Sequence, residues 1–588
     1  MKLSVILQNA VSALYDGQVS ADMVQVQKTR KEFDGDLTVV VFPLLKFSKK
    51  SPEETGKELG NYLQQNVSEV VVFNVVKGFL NLTISDEYWL NQFNEISQKE
   101  SYGFAEKNLG ITTMVEYSSP NTNKPLHLGH IRNCLLGWSV AEILKANGHN
   151  VIKTQIINDR GIHICKSMLA WQKWGNGEEP SDEKKGDKLV GEYYVEFDRK
   201  HKLEISQTAS VSETDAVSKP RTQLLSEAQQ LLRKWEAKDT EVYALWKKMN
   251  GWVYEGFDVT YKRMGIDFDQ LYYESDTYLN GKEIVLKGLE KDIFFKKDDG
   301  SVWCDLTKEG LDEKLLLRAD GTSVYITQDI GTAIKRFEGF PELAKQIYVV
   351  GSEQNYHFKV LFFILKKLGY EWADECLHLS YGMIDLPSGK MKSREGTVVD
   401  ADDLMQEMHK TAKAITEELS KVEEIPENER DELYWMVGLG ALKYFILKVD
   451  PKKKMLFDPK ESVDFHGNTG PFIQYTYARI QSVLRKAEKN SEFRIQDLEL
   501  KREEKEIIKL ICEYPQIIKE AGENYSPALI ANYAYELTKS FNHFYQSISI
   551  LAAETDELIA FRVALSEMSG KVLKSALGLL GIEVPERM

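Results

Sequence analysis

Cysteine is scarce in this chain. Its 588 residues hold five, at 134, 165, 304, 376 and 512, with no Cys-x-x-Cys pair. An odd and scattered set argues against a disulfide framework or a zinc–thiolate cluster and fits a reducing cytoplasm. Long apolar runs are missing too, and no stretch reaches the ~18 residues that suggest a membrane helix. The opening MKLSVILQNAVSALYDGQ has one lysine, a short apolar stretch and no clear cleavage pattern, so it reads as an amphipathic helix rather than a secretion signal. Positive charge is the minority sign: 75 Lys and Arg face 90 Asp and Glu, a net charge of −15. That argues against a histone-like binder held by bulk charge, although a basic stripe on one domain is enough to hold nucleic acid. There is no internal repeat and no low-complexity tract.

What is present is ordinary globular material, 43% hydrophobic and 28% charged. At roughly 100–200 residues per domain the length suggests about three to five domains or subdomains. Residues 1 to about 108 alternate short strands with helices. DLTVVVFPLL and EVVVFNVVKGFLNLTIS read as strands, the second turning at Lys77-Gly78. SPEETGKELGNYLQQN reads as a helix opened by Ser51, with Pro52 in its first turn. From 109 to about 440 the pattern is βαβ. TTMVEYS is a strand, SPNTNKP a polar turn, HIRNCLLGWSVAEILKANG a helix stopped by Gly148, and NVIKTQIIND the next strand. A charged, mostly helical insertion at about 175–262 splits this sheet, and alternation then returns with SVYITQD and QIYVVG as strands, the helix NYHFKVLFFILKKLG, and LHLSYGMIDL. Residues 441–588 show only helical periodicity. The expected fold class is α/β: a Rossmann-like parallel sheet with an α+β domain before it and an all-α domain after it.

The most informative stretch runs from Glu116 to His130, EYSSPNTNKPLHLGH. His127 and His130 flank Gly129 where a turn enters a helix. A helix N-terminus offers free N–H groups and the positive end of a dipole, which suits phosphate. Imidazoles three apart share a helical face and could donate to phosphate oxygens as charge moves in a transition state. Two bland alternatives stand beside this: a structural capping pair, or two zinc ligands, for which no third and fourth ligand lies at close spacing. Other phosphate motifs fail. A Walker loop ending at Gly389-Lys390 would need glycine at 384, which is Ile384, and GLGALK at 438–443 lacks the third glycine of GxGxxG.

HLGH resembles the His-Ile-Gly-His signature of class I aminoacyl-tRNA synthetases, and EYSSPNTNKPLHLGHIRN resembles the arginyl members specifically. Gly389–Gly396, GKMKSREG, resembles that class's Lys-Met-Ser-Lys-Ser loop; taken alone it would read as a solvated basic loop. Lys390 and Met391 match, but Ser393 stands where the second lysine would be. Arginyl enzymes commonly lack it, and Lys124 or Lys392 could take its place. The resemblance implies catalytic roles for His127, His130, Lys124 and Lys390. It implies ATP contacts from Pro120, Leu128, Gly129, His130, Met391 and Lys392. It implies arginine contacts from Glu116, Ser118, Asn121, Tyr325, Asp329 and Gln354, with Glu116 and Asp329 supplying carboxylates for a guanidinium fork.

Near the C-terminus, residues 443–494 hold 11 basic and 6 acidic residues, with Tyr444, Phe445, Phe465, Phe472, Tyr475 and Tyr477 interleaved. Basic plus aromatic suits unpaired RNA, and a solvated turn over a helix core explains it equally well. FHGNTGPFIQYTYARIQSVL and LLGIEVPERM resemble the arginyl family's anticodon-binding domain, and FPLL and KGFLNL its N-terminal domain. This implies tRNA(Arg) as partner, with Asn468, Gln474, Tyr477 and Arg479 as candidate contacts. It also implies ATP carrying Mg²⁺, no protein metal site, and a cytoplasmic monomer without membrane contact. Two rivals share parts of the pattern. A small-molecule adenylyltransferase would not need the two end domains, and a non-catalytic RNA-binding relative would carry a damaged His127 or His130; both histidines are intact.

Overall fold

The computed structural model describes residues 2–15, 18–20, 23–30, 32–99, 101–209, 222–385, 399–419, 425–487 and 498–588. They form two compact units. One comprises Met1–Tyr102, Val483–Glu513 and Lys539–Ser569; the other comprises Gly103–Ser482, Tyr514–Thr538 and Gly570–Met588.

The first unit is built on an antiparallel sheet of β1 (Val26–Lys28), β2 (Leu37–Val40), β3 (Val70–Val76) and β4 (Phe79–Ile84) in the order β1-β2-β4-β3. β3 and β4 form the expected hairpin. Lys77 and Gly78 both take positive φ, as a tight primed turn requires. The helix Pro52–Asn66 starts at Ser51 as expected, and the structure adds a capping box: the Ser51 hydroxyl accepts from Glu54 N, and the Glu54 carboxylate accepts from Ser51 N. FPLL does not continue β2. Pro43 lacks the N–H a sheet ladder uses, and Phe42–Leu44 closes a single 3₁₀ turn instead.

The second unit carries a five-stranded, wholly parallel sheet: β5 (Thr112–Glu116), β6 (Asn150–Ile157), β7 (Gln270–Tyr273), β8 (Leu343–Gly351) and β9 (Cys376–Tyr381), in the order β9-β8-β5-β6-β7. The order reverses between β5 and β8. Crevices at such a switch point, beyond the carboxyl ends of the strands, bind ligands in doubly wound sheets. Helix α1 (Leu128–Ala146) follows β5 and ends at Asn147 and Gly148, the latter at φ +86. The helical insertion contains α2 (Gly186–Ala209), α3 (Gln223–Glu236) and α4 (Thr240–Met264). Helices α5 (Tyr325–Gly339), α6 (Asn355–Lys367), α7 (Ala401–Leu419), α8 (Glu427–Leu447) and α9 (Gly470–Lys486) follow. Residues 483–486 at the end of α9 belong to the first unit.

Two sequence readings are corrected. SVYITQD is not a strand: it enters α5, because Ile326, Ile330, Ala333 and Ile334 recur at three- to four-residue spacing and are all buried. Of this parallel sheet, the strand missed from sequence is β7, four residues at its edge beside β6.

Candidate active site

The turn between β5 and α1 is held at both ends. Ser118, 1% exposed, adopts φ +60, an uncommon conformation for a residue with a side chain. Its N–H donates to Asn133 Oδ1 at 2.5 Å, and its hydroxyl pairs with Tyr261 Oη at 2.7 Å. Both its backbone N–H and its hydroxyl thus anchor the bend. Asn121 and Pro120 are tied to the end of β6, where Asn158 N donates to Pro120 O and Thr122 N to Asn158 O. The Asn121 side chain is exposed, whereas Pro120 and Leu128 are buried and can offer a ligand only their backbones or edges.

His127 is the N-cap of α1. Its Nδ1 accepts from Gly129 N at 3.1 Å, and His130 Nδ1 accepts from His127 N at 3.1 Å. The rings lie 3.9 Å apart. Burial first, and then Lys124, pushes His127 down to about 3; burial, His127 and Lys124 hold His130 well below its usual value. Both imidazoles are therefore neutral near pH 7. With each Nδ1 accepting, the proton sits on Nε2, which remains a donor. Capping thus uses Nδ1 of each ring and leaves Nε2 to face a ligand. Gly129 leaves little room beside them, since an added Cβ would lie 3.0 Å from His127 Cε1. Lys124 is half-buried, lowered by desolvation, and pairs with no described residue. Lys390, Met391 and Lys392 lie outside the described residues.

The proposed arginine side lies beyond the strand ends. Glu116 closes β5, 6% exposed, and is ion-paired with Arg336 of α5, itself 1% exposed. Tyr325 stands on the first turn of α5, 76% exposed; Asp329 follows one turn later, its Oδ2 2.6 Å from His357 Nε2. Gln354 is exposed on a single 3₁₀ turn after β8. Tyr348 feels both Glu116 and Asp329, although burial is the main cause that raises it. The two acids therefore act on one region, where one oxygen of Glu116 is engaged by Arg336. The acid that shares the field of Asp329 is Glu274, directly after β7, raised to about 7 by burial first and by Asp159 and Asp329, against Arg160. With the Gln328 amide turned to satisfy both neighbours, its nitrogen donates to Glu274 and its oxygen accepts from Arg160. Sequence reasoning missed Glu274, Arg160 and His357. The available signal was an acid just past a short strand, and that strand itself went unread.

Of the candidate tRNA contacts, Gln474 is fully buried and its Nε2 donates to Glu583 O and Met436 O. Tyr477 is 4% exposed. Their packing within the second unit replaces the expected surface role. Asn468 accepts from Tyr444 Oη at 2.6 Å, and Arg479 lies over the Tyr475 ring; both reach partial exposure.

Residues 93–458 match the model of the class I tRNA synthetase (R) catalytic domain, and residues 473–588 match the DALR anticodon-binding domain. The chain is 58% identical to an arginine–tRNA ligase of Bacteroides thetaiotaomicron, the alignment covering 100% of this chain and 99% of that one. It is 57% identical to that of Flavobacterium psychrophilum, over 99% and 98%. The arginyl-tRNA synthetase of Thermus thermophilus superposes with a TM-score of 0.79 at 25% identity, covering 100% of this chain and 99% of that one. Similarity of this extent, from one end of the chain to the other, leads to one conclusion: this chain belongs to the class I arginyl-tRNA synthetases.

Proposed function

We propose that the β5–α1 turn is where this arginine–tRNA ligase activates its amino acid. The observation that carries this is the pair of histidines at the N-terminus of α1, each with its Nδ1 bound to the backbone, beside Lys124, which pairs with no described residue. Arginine's carboxylate attacks the α-phosphorus of ATP, and pyrophosphate leaves. His127, His130 and Lys124 offset the charge that builds on the phosphate oxygens, by positioning and electrostatics rather than a covalent enzyme intermediate. Arginine then passes from the adenylate to a hydroxyl of the terminal ribose of tRNA(Arg), and AMP leaves. These residues are donors and a cation, so they fit the anionic nucleotide rather than a resident metal; Mg²⁺ enters with the ATP phosphates. Lys390, Met391 and Lys392 complete this phosphate site by resemblance.

The guanidinium is held by Asp329 and Glu274, with Tyr325 beside them. The buried Glu116–Arg336 pair fixes α5 and therefore Asp329, and Asn121 and Gln354 face the amino-acid ends. Functionally, residues 1–108 contact tRNA, 109–440 carry the chemistry, and 441–588 read the anticodon, with Asn468 and Arg479 among the contacts. The five free thiols, four of them buried, suit a reducing cytoplasm, where the chain acts as a monomer.

The pH dependence of arginine saturation tests the pocket. Glu274, raised to about 7, is protonated and uncharged below that value, so the pocket loses attraction for a guanidinium as pH falls. The arginine KM is expected to rise about fivefold to tenfold from pH 8 to pH 6, the limit of a single ionisation required for binding. The kcat should show no inflection near 6.5 from His127 or His130, which stay neutral across that range. Glu274→Gln should flatten the KM profile; an unchanged profile in that variant removes Glu274 from the pocket.

A further inference from the structure

The insertion at about 175–262 touches the signature turn through Tyr261, and its first helix, α2, reaches that turn by two further routes. The first is steric. An added Cβ at Gly191 of α2 would lie 2.8 Å from Pro125 Cδ and 3.4 Å from Lys124 Cα, so α2 lies directly against the residues that precede His127. The second is ionic. Lys185, just before α2, places its Nζ in an ion pair with Asp402, 2.7 Å from Thr260 Oγ1, 2.9 Å from Gly256 O and 3.5 Å from the fully buried Asp187. Thr260 also donates to Asp402 at 3.1 Å. Gly256 allows this approach: a Cβ there would lie 2.5 Å from Asp187 Oδ1.

Asp402 opens α7, and the chain just before it is bonded to the signature turn on both sides of His127. Ala401 N donates to Leu126 O at 2.9 Å, Leu128 N donates to Val399 O at 3.3 Å, and His127 and Asp400 pair as an antiparallel bridge. Asp400 Oδ1 accepts from Asp402 N at 2.8 Å. A continuous set of contacts thus runs from Lys185 through Asp402 to the backbone flanking His127.

We propose that the start of α2, with Lys185 as its ionic anchor and Gly191 as its steric one, is a positioning platform that holds the HLGH turn in register for arginine activation. Lys185 touches neither substrate; it acts through Asp402 and the Val399–Ala401 segment. The inference rests on the catalytic assignment of that turn. Catalytic hydrogen bonds lose rate steeply when their donors shift, so a platform should set kcat and leave the guanidinium side of the arginine pocket, on α5 and after β7, unaffected.

The test is arginine-dependent ATP–pyrophosphate exchange by the full chain with total tRNA present. Lys185→Met should lower kcat about tenfold with the arginine KM within twofold, and Lys185→Arg should recover most of the loss. Adding Asp402→Asn to Lys185→Met should cost little more than either change alone, because both remove one link. Wild-type kcat in Lys185→Met, or an additive double variant, overturns the platform. Should Lys185→Met not fold, Gly191→Ala, which presses on Pro125 without altering the ionic cluster, must lower kcat; unchanged activity in it also overturns the inference. His130→Ala, run alongside, separates the two failures. If it stays active the assignment of the turn is wrong; if it is inactive while Lys185→Met and Gly191→Ala are normal, only the platform is.

Discussion

His130→Ala is expected to slow arginine activation by about 10²–10³-fold, the loss typical of removing one preorganised donor to developing charge. The ring does two jobs. Its Nδ1 caps α1 by accepting from His127 N, and its Nε2–H is left for the nucleotide. Loss of a cap alone costs about 1 kcal/mol of stability and would not reach the transition state to this extent. His130→Asn separates the two roles, because a side-chain amide can still accept from the backbone while its remaining donor no longer occupies the Nε2 position. Exchange kinetics, with thermal unfolding as control, should show a near-normal melting midpoint and a low kcat in His130→Asn. A normal kcat in His130→Ala would remove the residue from the chemistry.

Asp329→Asn is expected to raise the arginine KM about 10²-fold. Losing one charge from a hydrogen-bonded charge pair costs on the order of 2–5 kcal/mol, and the partial exposure of Asp329 favours the lower end. Asparagine keeps the shape and one acceptor, so α5 and its buried Arg336–Glu116 pair should stay in place. The effect should therefore fall on KM, with kcat at saturating arginine changed far less. Steady-state exchange kinetics over arginine concentration measure both. Normal saturation by arginine would take Asp329 out of the pocket.

The parts of this site that the sequence disclosed are local in the chain. The β5–α1 turn, its two histidines and Gly129 lie within fifteen residues, and their strand-turn-helix context follows from patterning. The helix start at Ser51 and the Lys77-Gly78 hairpin were legible for the same reason. What stayed hidden depends on distant partners. Arg336 reaches Glu116 across 220 residues of sequence and neutralises it. Glu274 owes its raised pKa to burial and to Asp159 and Asp329, which come from the chain after β6 and from α5, against the neighbouring Arg160. Gln474 and Tyr477 carry the polar and aromatic character of RNA contacts, yet tertiary packing turns them inward. α5 was misread because SVYITQD is short, β-branched and apolar, and only the longer repeat of buried positions through Ile334 reveals the helical period.

The most direct test of the account is ATP–pyrophosphate exchange by the full chain with each of the twenty amino acids, with and without total tRNA. The account predicts exchange with arginine alone among the twenty. Exchange with a different amino acid, or none with arginine under either condition, would contradict it.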